Sequence, residues 1–130
     1  MKNQKTILLV DDDVDYLFQM KLQLERFGFK VVMAESQKEA EGLMSMVKPD
    51  LAIFDLMLES EDSGFILCYK MKKRYPDVPI ILATAVSSET GFSFGIGSED
   101  ERKWIKADLY LEKGILPEQL QSEINKLLKL

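Results

Sequence analysis

Histidine is absent from the 130 residues, and no other absence removes more chemistry. A Ser-His-Asp relay, a histidine zinc site and a phosphohistidine of the protein's own are all excluded. Cysteine occurs once, as Cys68, so no disulfide can form within the chain, which fits a reducing cytosol. No apolar run approaches the roughly 20 residues that a membrane-spanning helix needs. Met1 to Lys5 leads into a strand rather than a signal-peptide core. Positive charge is also in deficit. The 17 Lys and Arg against 22 Asp and Glu give a net charge of -5 and a pI near 4.8, which argues against direct nucleic-acid binding. Chemistry is left to carboxylates, lysines, hydroxyls or a hard metal. A hydrophobic content of 46% is enough for residues 1–130 to form one domain with a proper core.

Against this background, the stretch Leu51-Ala52-Ile53-Phe54-Asp55 organises the rest. Its apolar residues read as a strand covered on both faces, ending in a carboxylate. Thr6 to Val10 does the same, running into Asp11, Asp12 and Asp13. Ile80 to Ala83 ends in Thr84, and Leu109 to Glu112 ends in Lys113. Lys30 to Glu35 is a further short strand. Between the strands lie helical patterns. Val14 to Phe27 carries Leu17, Met20, Leu24 and Phe27 on one face, followed by Gly28 at the position of a C′ glycine. Ser36 and Glu39 form a capping-box pair ahead of the stripe Ala40, Leu43, Met44 and Val47. Leu67, Cys68 and Met71 mark the buried face of a third helix. Ser98 and Glu101 open a short fourth one through Trp104 and Ile105. Pro117 begins a closing helix with Leu120, Ile124, Leu127 and Leu128 inward. Met20, Met33, Met44 and Met71 read as core filling. The pattern predicts an α/β fold, a doubly wound five-stranded parallel sheet with five helices. The expected strand order is the flavodoxin-like 2-1-3-4-5, which makes strands one and three neighbours.

In that strand order Asp11, Asp12 and Asp55 converge at the edge where open α/β sheets bind ligands. Crowded carboxylates repel one another unless a cation or proton relieves them, and hard oxygen ligands favour Mg²⁺. Such a metal also neutralises phosphoryl oxygens, so that a carboxylate can attack phosphorus to give an acyl phosphate. Lys113 and Thr84 would supply an ammonium and a hydroxyl. Asp11-x-Asp13-x-Asp15 also looks like the start of an EF-hand loop, but Tyr16 and Leu22 stand where the glycine and the last glutamate belong. Asp13 and Asp15 read instead as charges at a helix N-terminus.

The chain resembles, from about Thr6 onward, the receiver domain of bacterial two-component response regulators. Asp11-Asp12, the Asp55 of Phe54-Asp55-Leu56-Met57, Thr84-Ala85, Tyr110 and Lys113 carry the resemblance. It implies that Asp55 accepts a phosphoryl group from a sensor histidine kinase or a histidine phosphotransfer protein. It also implies a Mg²⁺ ion on Asp12, Asp55 and the backbone carbonyl of Met57, with Asp11 acting through a water. Lys113 would pair with the phosphoryl group, and Thr84 with Tyr110 would form the switch. The expected setting is cytoplasmic, off the membrane and away from nucleic acid. A downstream protein target would read the switch, and a phosphorylation-dependent dimer is allowed.

The sequence departs from the family pattern in three places. Gly114 follows Lys113, where receivers usually carry a proline, often joined by a cis bond, and this leaves the loop geometry open. A longer polar turn, Glu59 to Gly64, replaces the common Pro-Gly-x-Asp-Gly. Residues 87–97 lengthen the span from Thr84 to Lys113, and with Phe92, Phe94 and Ile96 they read as an output segment beside Thr84. Met57 and Val86, both apolar, flank the expected path of hydrolytic water and point to slow self-dephosphorylation. The alternative functions are a receiver-like scaffold that is never phosphorylated and a small phosphohydrolase using Asp11 or Asp55. The scaffold reading goes with loss of an acidic residue or the lysine, and none is lost here. The hydrolase reading suffers from little room for a substrate cap.

Overall fold

Strands form where β-branched and leucine residues run without interruption: β1 (Thr6–Val10), β2 (Lys30–Ala34), β3 (Leu51–Asp55), β4 (Ile80–Thr84) and β5 (Leu109–Glu112). A computed structural model describes residues 4–56, 58, 63–84 and 107–130. All strand pairs are parallel, in the order β2-β1-β3-β4-β5. Four helices lie among the described residues: α1 (Val14–Arg26), α2 (Gln37–Met44), α3 (Ser63–Arg74) and α4 (Pro117–Leu128). The short helix expected from Ser98 lies outside the described residues, as do Met57, Val86, Trp104 and the 87–97 segment.

Register aligns the strand ends. Val10 pairs with Phe54, Asp55 with Ala83, and Thr84 with Glu112. The residues that follow or end these pairs, Asp11, Asp55, Thr84 and Lys113, therefore arrive at one edge. The side-chain alternation of a strand then sorts them by face. Ile7, Leu9, Leu51, Ile53, Ile81 and Ala83 pack under α1 and α4, against Leu17, Met20, Leu24, Leu120 and Ile124. Leu8, Val10, Ala52, Phe54, Ile80 and Leu82 pack under α2 and α3, against Ala40, Met44, Leu67, Cys68 and Met71. Asp55 continues the first set, while Thr84 and Tyr110 belong to the second.

The helix ends follow local chemistry. Asp13 is the N-cap of α1, its carboxylate accepting from the Tyr16 N–H at 3.2 Å. Gly28 has a φ of 98°, which a side chain would disfavour, and it turns the chain from α1 into β2. Ser36 caps α2 by accepting from the Glu39 N–H, while Glu39 accepts from the Glu35 N–H, one residue before the cap. Pro117 occupies the start of α4. Two expectations need correction. Met33 is 38% exposed rather than core, because β2 is the edge of the sheet. Val47 is 36% exposed, because α2 ends at Met44 and the stripe does not continue beyond it.

Candidate functional site

The acidic edge is built around an ammonium. The Lys113 Nζ lies 2.6 Å from Asp11 Oδ2 and 3.3 Å from Asp55 Oδ1. Both carboxylates are sunk at the strand ends, Asp11 1% exposed and Asp55 7%, whereas Asp12 stands in solvent. Carboxylate oxygens of Asp11, Asp12 and Asp55 lie within 4.8 Å of one another. Such a cluster is unstable without positive charge, and Lys113 supplies it. Burial by itself would lower the lysine pKa; the hydrogen bond to Asp11 and the charges of Asp55 and Asp11 overcome it and hold the ammonium above its usual range.

Backbone contacts anchor these residues. Asp11 donates its N–H to the Ala34 carbonyl at 3.1 Å, and its Oδ1 accepts from the Asp13 N–H at 2.9 Å. One Asp11 oxygen is thereby held at the cap of α1, and the other faces Lys113. Lys113 donates its N–H to the Thr84 carbonyl at 2.9 Å, which ties the lysine to the threonine strand. The Ile115 N–H reaches the Glu112 carbonyl at 3.1 Å and closes a turn over Lys113 and Gly114, with no cis peptide among the described residues. A hydrogen-bonded trans turn thus settles the geometry that Gly114 left open. Beneath Asp55 the start of α3 comes very close. A Cβ on Gly64 would lie 2.6 Å from the Asp55 carbonyl oxygen and 2.7 Å from that of Leu56. Only glycine allows that approach, and its N–H bonds the Leu56 carbonyl at 3.0 Å.

Sequence reasoning brought Asp11, Asp12, Asp55 and Lys113 to one place, and the structure places them together. Thr84 is 6% exposed at the adjoining strand end. Tyr110 packs against the α2 and α3 side of the core with its hydroxyl buried. Met57 lies outside the described residues. One residue was missed. Tyr16, noted only for breaking an EF-hand pattern, sits on the first turn of α1 with its ring centroid 4.8 Å from Lys113 Nζ. Burial first, then the charges of Asp11 and Asp55, push its phenol pKa well up, so it stays protonated. No local signal links Tyr16 to Lys113, because the contact depends on how α1 crosses the sheet.

One exposed and two buried carboxylates, all hard oxygen donors close enough to share a cation, suit Mg²⁺. No helix of the described residues is long and apolar enough to cross a membrane.

Known proteins resemble this chain in sequence and in fold. The chain is 34% identical over 129 residues to the transcriptional regulatory protein GltR of Pseudomonas aeruginosa, covering 98% of this chain and 50% of that one. It is 30% identical over 125 residues to the alkaline phosphatase synthesis transcriptional regulatory protein PhoP of Bacillus subtilis, covering 96% and 49%. The chain therefore spans about half the length of the curated relatives it matches. Among solved structures, a CheY-like response regulator receiver domain protein from Methanospirillum hungatei superposes with a TM-score of 0.80 at 28% identity, covering 98% of this chain and 95% of the other. A two-component response regulator from Clostridium difficile gives 0.79 at 26% identity, covering 97% of each. The family model described as the response regulator receiver domain matches residues 7–125, nearly the whole acidic-edged sheet and its helices, and the chain belongs to that family.

Proposed function

We propose that residues 1–130 act as a single phosphoacceptor domain in which Asp55 takes the phosphoryl group. The observation that carries this reading is the Lys113 ammonium set between two buried carboxylates, Asp11 and Asp55, at the ends of adjacent strands. A carboxylate oxygen of Asp55 attacks phosphorus, and the donor's bond to phosphorus breaks. With a phosphohistidine donor the electron pair leaves on the imidazole nitrogen, which takes up a proton, and Asp55 becomes an acyl phosphate. Lys113 is already paired with Asp55, and its ammonium turns to the incoming phosphoryl oxygens as their charge approaches. Asp12 and Asp55 would hold Mg²⁺, with Asp11 through a water and the Met57 carbonyl as the further ligand implied by the family. When bound, that ion neutralises charge on the phosphoryl oxygens. Thr84, at the end of the strand next to Asp55, would then contact the phosphoryl group, and Tyr110 would report the change to a partner.

The expected donor is a sensor histidine kinase or histidine phosphotransfer protein. The side chains of Val14, Phe18 and Leu22, at helical spacing along α1, are 57%, 57% and 44% exposed and begin beside the acidic edge. That rim is the face across which a phosphohistidine protein is expected to dock on the way to Asp55. Intact mass after incubation with acetyl phosphate and Mg²⁺ tests the assignment: the wild type gains one phosphoryl group and Asp55→Asn gains none. Equal gain by both would remove Asp55 from the reaction. The scaffold reading predicts no gain by either.

A further inference from the structure

The lysine that serves the site is tied at its backbone to the Thr84 carbonyl, but that bond fixes only where its side chain starts. Its side chain is long and rich in rotamers, and Gly114 follows it in a turn where a Cβ would meet nothing within 4 Å. The position of Nζ is therefore not set by the backbone alone. Its position is set from the far end by two carboxylates and one aromatic ring: Asp11 at 2.6 Å, Asp55 at 3.3 Å and the Tyr16 centroid at 4.8 Å. Of the two carboxylates, Asp55 cannot hold it unchanged through the reaction, because it becomes an acyl phosphate, whereas Asp11 keeps its charge. The ring does not change. Tyr16 is itself anchored: it lies on the first turn of α1, its N–H bonds the Asp13 cap, and it packs against the core face that contains Leu17 and Leu120. An ammonium within about 6 Å of an aromatic face is attracted by the ring quadrupole, more strongly when desolvated. The Tyr16 hydroxyl is buried and finds no hydrogen-bond partner among the described residues, so the ring rather than the hydroxyl is what touches the charge.

We propose that Tyr16 is a positioning residue for Lys113, its ring face holding the ammonium over the acidic edge before and during phosphoryl transfer. The proposal rests on the reading of Asp55 as phosphoacceptor, but part of its test does not. In the metal-free, unphosphorylated wild type, the ε-methylene protons of Lys113 should show a ring-current displacement by NMR. Tyr16→Phe should keep it and Tyr16→Leu should abolish it. An undisplaced Lys113 signal in the wild type would overturn the proposal without any appeal to activity or to the folding of a variant. The second arm measures the initial rate of labelling from acetyl phosphate. Tyr16→Leu should slow it about tenfold, the scale of a desolvated cation–π contact, while Tyr16→Phe should stay within about twofold of wild type. In a Lys113→Ala background, Tyr16→Leu should add nothing further. A loss of the same size in both backgrounds would mean that Tyr16 acts by packing alone, and the proposal would fail. If wild-type Asp55 takes no label while the ring-current signal is present, the phosphoacceptor reading fails and the contact stands.

Discussion

Lys113 balances two carboxylates at once, and its removal should be felt in both stability and chemistry. Lys113→Met leaves Asp11, 1% exposed, without its ion-pair partner. Leaving a buried charge uncompensated costs on the order of 3 kcal/mol or more. Urea denaturation should show that loss, and adding Asp11→Asn to the same chain should recover much of it; a wild-type midpoint for Lys113→Met would contradict the pairing. Cys68 makes a different prediction at the same scale. Burial first, and then the charge of Asp108, push its thiol pKa above the ordinary 9.0. A folded pKa above the unfolded one stabilises the protein fully below pH 9.0 and loses that contribution as pH rises further. Each pH unit in that range removes at most about 1.4 kcal/mol. The alkaline limb of stability against pH should therefore be steeper in the wild type than in Cys68→Ala. Equal slopes would mean that the thiol ionises as easily in the folded chain as in the unfolded one.

At the scale of elements, the site depends on how close α3 comes to β3. Gly64→Ala would place a methyl group against two backbone carbonyls that have no rotamer by which to yield. Overpacking of this kind costs about 1–3 kcal/mol, and the displaced backbone is that of Asp55. We expect lower stability together with slower labelling, whereas Gly42→Ala, where a Cβ meets nothing, should leave labelling unchanged. The exposed stripe of α1 gives the complementary case. Phe18→Asp should slow transfer from a phosphohistidine protein while leaving acetyl phosphate labelling and stability near wild type, because Phe18 is 57% exposed. Loss with both donors would place Phe18 in the fold rather than at a docking face. These elements also show what the sequence made legible. The four strand ends could be read because short apolar runs and the polar residues that end them are local properties, and β1 beside β3 follows from the expected order. The glycine turn at Gly28 and Pro117 at the head of α4 could be read for the same reason, whereas Asp13 was read only as a charge at the helix start and not as its cap. Met33 was misjudged because a strand-like pattern does not say how far the covering helices reach over an edge strand. Tyr16 over Lys113 and the close approach at Gly64 depend on how helices cross the sheet, which no local pattern carries.

At the scale of the whole molecule, opposite edges of one sheet divide the work. At the N-terminal edge carboxylates serve the backbone: Asp50 Oδ2 accepts from the Thr6 N–H at 2.7 Å, and Asp108 Oδ2 from the Ile80 N–H at 2.7 Å, with Lys72 beside it at 2.9 Å. At the C-terminal edge Asp11, Asp12 and Asp55 gather around a lysine, with room in their chemistry for a hard cation. Asp12→Ala should abolish Mg²⁺ binding by calorimetry while leaving the fold intact or slightly more stable, since it removes one of the repelling charges. Unchanged affinity would move the cation away from this edge. The central claim, that Asp55 alone receives the phosphoryl group, has a direct measurement. After labelling with acetyl phosphate and Mg²⁺, borohydride reduction converts an acyl phosphate on aspartate into homoserine, which sequencing by mass spectrometry locates. The account predicts homoserine at position 55 and unmodified aspartate at Asp11, Asp12 and Asp13. Homoserine at any of those three, with Asp55 intact, would contradict it.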